Sequence, residues 1–415
     1  VTATPPPSSP RRVRVDLADR SYDVLIAPRL LASLGPRLRD LFPDASRSLV
    51  VLDSGVPEFL RGQAIGSLAA VGLSPATVSF TPTEHDKSIA TFESLLVRAA
   101  EARLERAEPI IAIGGGIVGD LTGFAAASYR RGVPFIQCPT TLLAMVDAAV
   151  GGKTGLNIAL PATPTSPAAL RKNMAGAFWQ PRLVLCDLEA LDSLTPDEFA
   201  AGLAECVKHA LIAADWNDPE LWHWTTANAQ RIGAREPAVM LEFVERNVAL
   251  KARVVASDER EERPASEDPR GGRMALNAGH TVAHALEAWF DHARAADSSS
   301  KPLPIKHGQA VALGLIAEAL AALASPPPLN PAAAAPSSSL VDAIRAALVA
   351  LNLPTHLKHF NAAPRADELL ALMLDDKKTL TSRVRIVAPT APGHARVFTP
   401  SRDALGAGLA TIGAI

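Results

Sequence analysis

The run Pro109-Ile110-Ile111-Ala112-Ile113-Gly114-Gly115-Gly116-Ile117-Val118-Gly119-Asp120-Leu121-Thr122-Gly123-Phe124-Ala125-Ala126 starts as a strand-forming apolar segment, tightens into glycines and continues with helical character. Glycines at a strand-to-helix turn let backbone N–H groups approach a phosphate, and the helix N-terminus adds favourable partial charge. The run satisfies GxGxxG, but the acidic residue expected about 20 positions further on for a ribose contact is missing. By itself it fits a dinucleotide site and a tight structural turn alike. Asp53, just after the strand-like Ser48–Leu52, stands either as a ribose partner or as an ordinary turn aspartate.

Outward from this run, short β-rich segments (Ser48–Leu52, Ile110–Ile113, Phe135–Cys138, Leu183–Cys186) alternate with helical patterns such as Ile89–Arg106. That alternation is the signature of parallel α/β units. From about residue 196 onward, Ala/Leu-rich amphipathic stretches take over (197–213, 238–256, 280–291, 307–324, 339–351, 366–373), with a weak strand near Val384–Val387. The expected fold is an α/β N-terminal domain with a Rossmann-like parallel sheet over 12–195, followed by an all-α, or mainly helical, C-terminal domain over 196–415. Residues 1–11, rich in Pro and Ser, are expected to be a disordered tail, and the segments 259–272, 292–302 and 325–338 surface loops.

With 415 residues, 48% hydrophobic and 20% charged, the composition is that of a globular protein. Lys and Arg (41) nearly balance Asp and Glu (43), so no global positive field exists to hold a nucleic acid or an anionic membrane. Any anionic ligand must then be met by a local cluster. Cys138, Cys186 and Cys206 are widely separated without a CxxC pair, which fits buried thiols in a reducing cytosol better than disulfides or a Cys-ligated metal. No apolar core follows a basic start at the N-terminus, and no stretch of about 18 uncharged apolar residues occurs. A cytoplasmic protein with no nucleic-acid or membrane partner is expected.

In the helical half, His280 and His284 stand at i and i+4 on one helix face, His307 opens the next helix, and Glu205 is an acid inside an apolar helical run. Two imidazoles and a carboxylate around a divalent metal, with positions left open, make a catalytic zinc arrangement. The same histidines also fit a helix cap and a satisfied core residue. Basic residues supply a third element: Arg131, Lys153, Lys172, Lys208, Lys251, Arg273 and the pair Lys377-Lys378. Singly, each fits a solvated face. Together, several of them embedded in glycine-rich or apolar runs point to a small polyanionic substrate.

The blocks Gly114-Gly115-Gly116-Ile117-Val118-Gly119-Asp120, Pro139-Thr140-Thr141-Leu142-Leu143-Ala144-Met145-Val146-Asp147, Gly151-Gly152-Lys153-Thr154, Lys172-Asn173, Glu205-Cys206-Val207-Lys208, Leu276-Asn277-Ala278-Gly279-His280-Thr281 and His307-Gly308 closely resemble the 3-dehydroquinate synthase family of sugar phosphate cyclases. Their order and spacing match over roughly residues 13–390. The resemblance implies a dehydroquinate synthase-like fold, an N-terminal NAD-binding domain and a C-terminal metal- and substrate-binding domain. It also implies NAD and Zn2+ (or Co2+) as cofactors, a small anionic sugar-phosphate substrate and a homodimer. The implied reaction takes 3-deoxy-D-arabino-heptulosonate 7-phosphate to 3-dehydroquinate and phosphate, a step of the shikimate route. It proceeds by transient NAD oxidation, phosphate elimination, reduction and intramolecular aldol cyclisation.

Carried over residue by residue, the resemblance makes Glu205, His280 and His307 the metal ligands, and His284, Lys153, Lys208, Asn173 and Arg273 the groups at the reacting centre. Cofactor contacts would be Asp53, Glu84, Lys87, Gly115, Gly116, Ile117, Asp120, Thr140, Thr141, Lys153 and Ser193. Substrate contacts would be Arg131, Asp147, Lys153, Lys172, Asn173, Lys208, Lys251, Arg273, Asn277, His284 and Lys377 or its neighbour Lys378. The chain departs from the family pattern in four places, one of them the run Asn277-Ala278-Gly279-His280 where the family has an Asn-Phe-Gly-His-like one, a change expected to affect packing more than chemistry. Gln309 replaces the usual Glu after His307-Gly308, removing a carboxylate expected near the metal ligands. An insertion runs through Pro161-Ala162-Thr163-Pro164-Thr165-Ser166, with Arg171 where glycine is common. Extra residues precede Arg273 and leave Glu261 without a clear counterpart. Sister cyclases acting on sedoheptulose 7-phosphate, and metal-dependent polyol dehydrogenases, are the rival readings. Arg273, Asn277 and the Asp376-Lys377-Lys378 run favour a carboxylate-bearing substrate over both.

Overall fold

The computed structural model describes residues 9–161, 169–263, 268, 270–295, 301–326, 336–376 and 384–415. Its contacts divide the chain into two compact units, Val1–Thr195 with Met240–Ala256, and Pro196–Val239 with Ser257–Ile415. Residues 240–256, grouped with the C-terminal part by linear order, thus go with the first unit, where Lys251 on that helix meets Asp147.

The strands are β1 (Arg11–Val15), β2 (Tyr22–Ala27), β3 (Arg47–Asp53), β4 (Ser74–Phe80), β5 (Ile110–Gly114), β6 (Phe135–Pro139), β7 (Lys153–Leu160), β8 (Ala169–Phe178), β9 (Leu183–Asp187), β10 (Ile386–Ala391) and β11 (His394–Phe398). In the first unit a seven-stranded sheet runs β1-β2-β9-β6-β5-β3-β4. All its pairings are parallel except that of β1 with β2. β5, β6 and β9 are buried at every position, as strands covered on both faces must be, which is why they are apolar but for Gln137 in β6 and Asp187 at the end of β9. Edge strand β4 is half-exposed along its length. The helices Ile89–Glu101 and Gly116–Ser128 pack Leu95, Ala99, Val118 and Leu121 against Val51 and Ile110 of the sheet. Taken in chain order, β3, β4, β5, β6 and β9 form the doubly wound order 2-1-3-4-5, which reverses direction between β3 and β5. The crevice at the carboxyl ends of those two strands is where such sheets bind ligands.

The second unit is built around the helix His307–Leu323, which is buried over nearly its whole surface, as expected of a helix that is apolar all round. Helices Pro196–Ile212, His280–Ala295, Ser338–Ala350 and Arg402–Thr411 pack on it. The unit is not all-α: β10 and β11 form an antiparallel hairpin, of which only the first strand was signalled by hydropathy. Its turn is tight because Gly393, at φ +81°, lies against Ala214, where a side chain would not fit. Arg11, read as the last residue of the expected tail, pairs with Ile26 in β1, and residues 1–8 of that tail lie outside the described residues. Of the expected loops and insertion, residues 162–168, 264–267, 269, 296–300 and 327–335 lie outside the described residues. The helix from His280 continues to Ala295, into the segment read as loop. Among the described residues no helix is long and apolar enough to cross a membrane.

One buried carboxylate ties the start of β3 to the chain leading into β5. Glu108 accepts hydrogen bonds from the backbone of Glu105 (2.8 Å) and Arg47 (3.0 Å), the Ser46 hydroxyl (3.0 Å) and the Arg47 guanidinium (3.2 Å). Burial alone would raise its pKa, but these donors together hold the carboxyl below its ordinary range. A depressed carboxylate contributes stability above its unfolded pKa that is lost as pH falls through the folded value. Glu108→Gln should therefore cost about 2 kcal/mol of unfolding free energy at neutral pH. The gap from wild type should narrow on acidification, as chemical denaturation along a pH series would measure.

Candidate functional site

At the switch point of the first unit, Asp53 ends β3 and Gly114-Gly115-Gly116 leads from β5 into the helix Gly116–Ser128. The two meet directly: a Cβ on Gly114 would lie 2.9 Å from the Asp53 Cβ. Asp53 Oδ1 closes a turn by accepting from the Gly55 N–H (2.8 Å), so the turn reading of this residue holds at the same position as the switch-point reading. Thr140 donates its backbone N–H to Gly114 O (3.0 Å), and Thr141 Oγ1 accepts from Ala144 N (3.1 Å), capping a π-helical turn, Ala144–Ala148, that carries Asp147. A Cβ on Gly115 would come within 3.4 Å of Thr141. Gly115, Gly116, Thr140 and Thr141 therefore form one continuous rim, with Ile117 and Asp120 following on the helix.

Lys87 binds this rim to the hairpin of β7 and β8. Its Nζ, 6% exposed, reaches Asp120 Oδ2 and Asn173 Oδ1, each at 2.5 Å. Burial raises the Asp120 carboxyl despite the opposing charge of Lys87. Asn173 lies at φ +54° in an irregularity between Leu156 and Ile158 of the hairpin register. Asn157, which sequence reasoning passed over, holds that irregularity: its Oδ1 accepts from Asn173 N (2.9 Å) and its Nδ2 donates to Glu84 Oε2 (2.8 Å). Asp147 is met by Lys251, through both its carboxylate and its backbone carbonyl. Lys153 and Lys172 are exposed on β7 and β8. Ser193 bonds Ala190 O (2.8 Å) and lines a cavity of about 660 Å³ with Arg29, Phe59, Gln63, Glu189 and Asp192. Arg131 lies at the far end of the helix that begins at Gly116, about 18 Å along its axis.

In the second unit Glu205, His280 and His307 come together, their ligand atoms all within 4.8 Å of one another. Glu205 Oε1 lies 3.6 Å from His280 Nε2 and 3.4 Å from His307 Nε2. Each ring's other nitrogen is engaged: His280 Nδ1 with Ala278 O (3.2 Å), His307 Nδ1 with Glu287 Oε2 (3.4 Å). Both Nε2 atoms are thereby presented to the carboxylate, the orientation that partners behind metal-binding histidines impose. Burial, more than neighbouring charge, holds His280 neutral, with its pKa lowered to about 3. The same burial acts on His307, but Glu205 and Glu287 overcome it and raise its pKa to about 10. The fully buried Lys208 pairs with Glu205 one turn along the helix.

Glycines beside the histidines make this convergence sterically feasible. A Cβ on Gly308 would collide with the backbone of Ala201, one turn before Glu205, and a Cβ on Gly314 with the carbonyl of Gly279, which precedes His280. Gln309 lies away from the cluster. Its Oε1 accepts from the Lys306 N–H (2.9 Å) at the helix N-terminus, a role glutamine fills as well as glutamate. His284 is exposed, its ring centroid 5.6 Å from that of His280. Arg273 is buried, its guanidinium on Glu259 O, and Asn277 ends the same short turn, Gly272–Asn277. Lys377 and Lys378 lie outside the described residues. Glu287 and Glu318 escaped sequence reasoning. Glu287 is i+7 from His280 on the same helix face, and Glu318, like Glu205, is an acid in an apolar helical run, so both left a signal.

The profile of the family described as 3-dehydroquinate synthase N-terminal matches residues 77–201, and that described as 3-dehydroquinate synthase C-terminal matches residues 202–379. The chain is 37% identical to a 3-dehydroquinate synthase of Rhizobium meliloti (strain 1021) over 96% of each chain. It is also 37% identical to one of Caulobacter vibrioides (strain NA1000 / CB15N), over 98% of this chain and all of that one. Among solved structures it is similar to a 2-epi-5-epi-valiolone synthase from Streptomyces hygroscopicus subsp. jinggangensis 5008 with NAD+ and Zn2+ bound. The TM-score is 0.74 at 24% identity, covering 96% of this chain and 98% of that one. It is similar as well to a 2-deoxy-scyllo-inosose synthase complexed with carbaglucose-6-phosphate, NAD+ and Co2+. There the TM-score is 0.72 at 23% identity, covering 98% and 100% of the two chains.

Gly308→Ala should force apart the helices that carry His307 and Glu205. A loss of about 3 kcal/mol in unfolding free energy is expected, measured by urea denaturation. Wild-type stability in this variant would contradict the close approach of the two backbones.

Proposed function

The chain belongs to the 3-dehydroquinate synthase family, and from that premise we propose that it converts 3-deoxy-D-arabino-heptulosonate 7-phosphate into 3-dehydroquinate and phosphate, consuming and regenerating NAD within each turnover. The observation that carries this is the convergence of buried Glu205 with the partly buried His280 and His307. Tetrahedral ligands about 2.0–2.1 Å from a zinc ion stand roughly 3.3 Å apart. The 3.6 and 3.4 Å separations of the two Nε2 atoms from Glu205 Oε1 suit an ion of that size. Two imidazoles and one carboxylate also leave positions open for substrate, which a structural zinc site would not.

When bound, the metal renders a substrate hydroxyl more acidic and NAD takes up and returns a hydride. The chain's own residues do the rest. Gly115 and Gly116 offer unobstructed backbone at a helix N-terminus for the pyrophosphate of NAD, and Asp53 at the end of β3 is assigned the ribose hydroxyls. Glu84, Lys87, Ile117, Asp120, Thr140, Thr141 and Ser193 complete the assigned cofactor set. Lys153, Lys172, Lys208, Lys251, Arg273 and Lys377 are assigned the charged ends of the substrate, with Asp147, Asn173 and Asn277 as hydrogen-bond partners. His284, exposed and one turn from His280, is assigned proton exchange with the reacting groups, a task suited to imidazole near neutral pH. A homodimer and a cytoplasmic setting belong to the same proposal, the latter supported by three buried cysteines that form no disulfide.

The purified protein with zinc, NAD and 3-deoxy-D-arabino-heptulosonate 7-phosphate is expected to release phosphate and form 3-dehydroquinate without net NADH, and to stop when metal is chelated. Turnover of sedoheptulose 7-phosphate instead would move the chain to a sister activity, and accumulation of NADH to a dehydrogenase. Glu205→Ala and His280→Ala should each lose retained metal and turnover together. Stoichiometric metal in either variant, read by atomic absorption, would refute the ligand assignment.

A further inference from the structure

The helix His307–Leu323 is apolar along almost all of its length, yet it buries one carboxylate completely, that of Glu318. A carboxylate among alanines and leucines is costly unless its oxygens are engaged. Here Oε2 accepts the Gly279 N–H and Oε1 the Val282 N–H, both at 3.0 Å. Those donors flank His280, and they are among the N–H groups that the first turn of the helix His280–Ala295 leaves without intrahelical acceptors. The negative charge also opposes the positive end of that helix. Ordinary caps come from the residue just before the helix. This one comes from another helix, the same one that supplies His307.

The spacing along that helix makes the arrangement one unit. Val311, Gly314 and Glu318 follow His307 at i+4, i+7 and i+11, a single stripe. The turn before His280 lies on this stripe: a Cβ on Gly279 would meet Leu315 N at 2.9 Å and Val311 O at 3.0 Å. One helix thus carries one candidate metal ligand at its N-terminus and grips the start of the helix bearing the second. We propose that Glu318 is a positioning residue that sets where His280 is presented relative to His307, and so governs the affinity and geometry of the divalent-metal site. This rests on the metal reading given above.

The test uses the full chain loaded with Zn2+ or Co2+ alone. Glu318→Gln keeps the side-chain shape but removes the charge and one acceptor, whereas Glu318→Ala removes both acceptors. Zinc affinity, by competition with a chromophoric chelator, is expected to fall about tenfold in Glu318→Gln and about 100-fold in Glu318→Ala, the span typical of residues that hold metal ligands in place. The visible absorption of the Co2+ form should change as well, since it reports ligand geometry and not fold stability. Should the alanine variant fail to fold, the glutamine variant decides. Wild-type zinc affinity and an unaltered Co2+ spectrum in Glu318→Gln would overturn the proposal, whatever happens to its melting temperature. Wild-type protein that retains neither metal would overturn the metal reading itself, and this proposal with it.

Discussion

The helical unit depends on two places where backbones touch without side chains between them, Gly308 on Ala201 and Gly314 on Gly279. Each removes the roughly 10 Å spacing that ordinary side chains keep between helix axes. Glu205, His280 and His307 belong to three different helices, and such short side chains converge only if their backbones approach this closely. The chemistry of the cluster is therefore bought with glycine. Around it, Glu287 and Ala278 O orient the rings and Lys208 pairs with Glu205.

The α/β unit solves a different problem, that of fastening a hairpin to the glycine turn at the end of a parallel sheet. Its parallel strands end together, and the reversal of strand order between β3 and β5 opens a crevice beside the glycine turn. Lys87 and Asn157 then fasten the hairpin of β7 and β8 to that turn. Lys87 does so as a buried cation between Asp120 and Asn173, and Asn157 by hydrogen bonds to Asn173 and to Glu84.

Much of this was legible in the residues. The strands at Ser48–Leu52, Ile110–Ile113, Phe135–Cys138 and Leu183–Cys186 are apolar but for Ser48 and Gln137 because both faces are covered, and the helices of the second half carry a 3.6-residue period. Strands β7 and β8 were not legible: Lys153, Lys172, Asn173 and Gly176 break the alternation that marks a strand, and a register irregularity falls among them. The hairpin β10–β11 gave only half its signal. Glu318 had the same local signature as Glu205 and was passed over, since an acid in an apolar run does not announce what it faces.

Residue types and local periodicity, then, are properties of the chain itself: a glycine turn between strand and helix, histidines at i and i+4, acids in apolar helices and the family likeness that their order carries. Tertiary structure alone decided which acid meets which histidine. It brought Glu205 to both Nε2 atoms and sent Glu318 to the backbone of the helix that His280 opens. It also turned Gln309 to a helix cap and placed Arg131 at the far end of the helix that the glycine rim begins. The reason is that side-chain partners separated by scores of residues are chosen by backbone packing, and packing is set by the whole core at once, not by any local stretch of sequence.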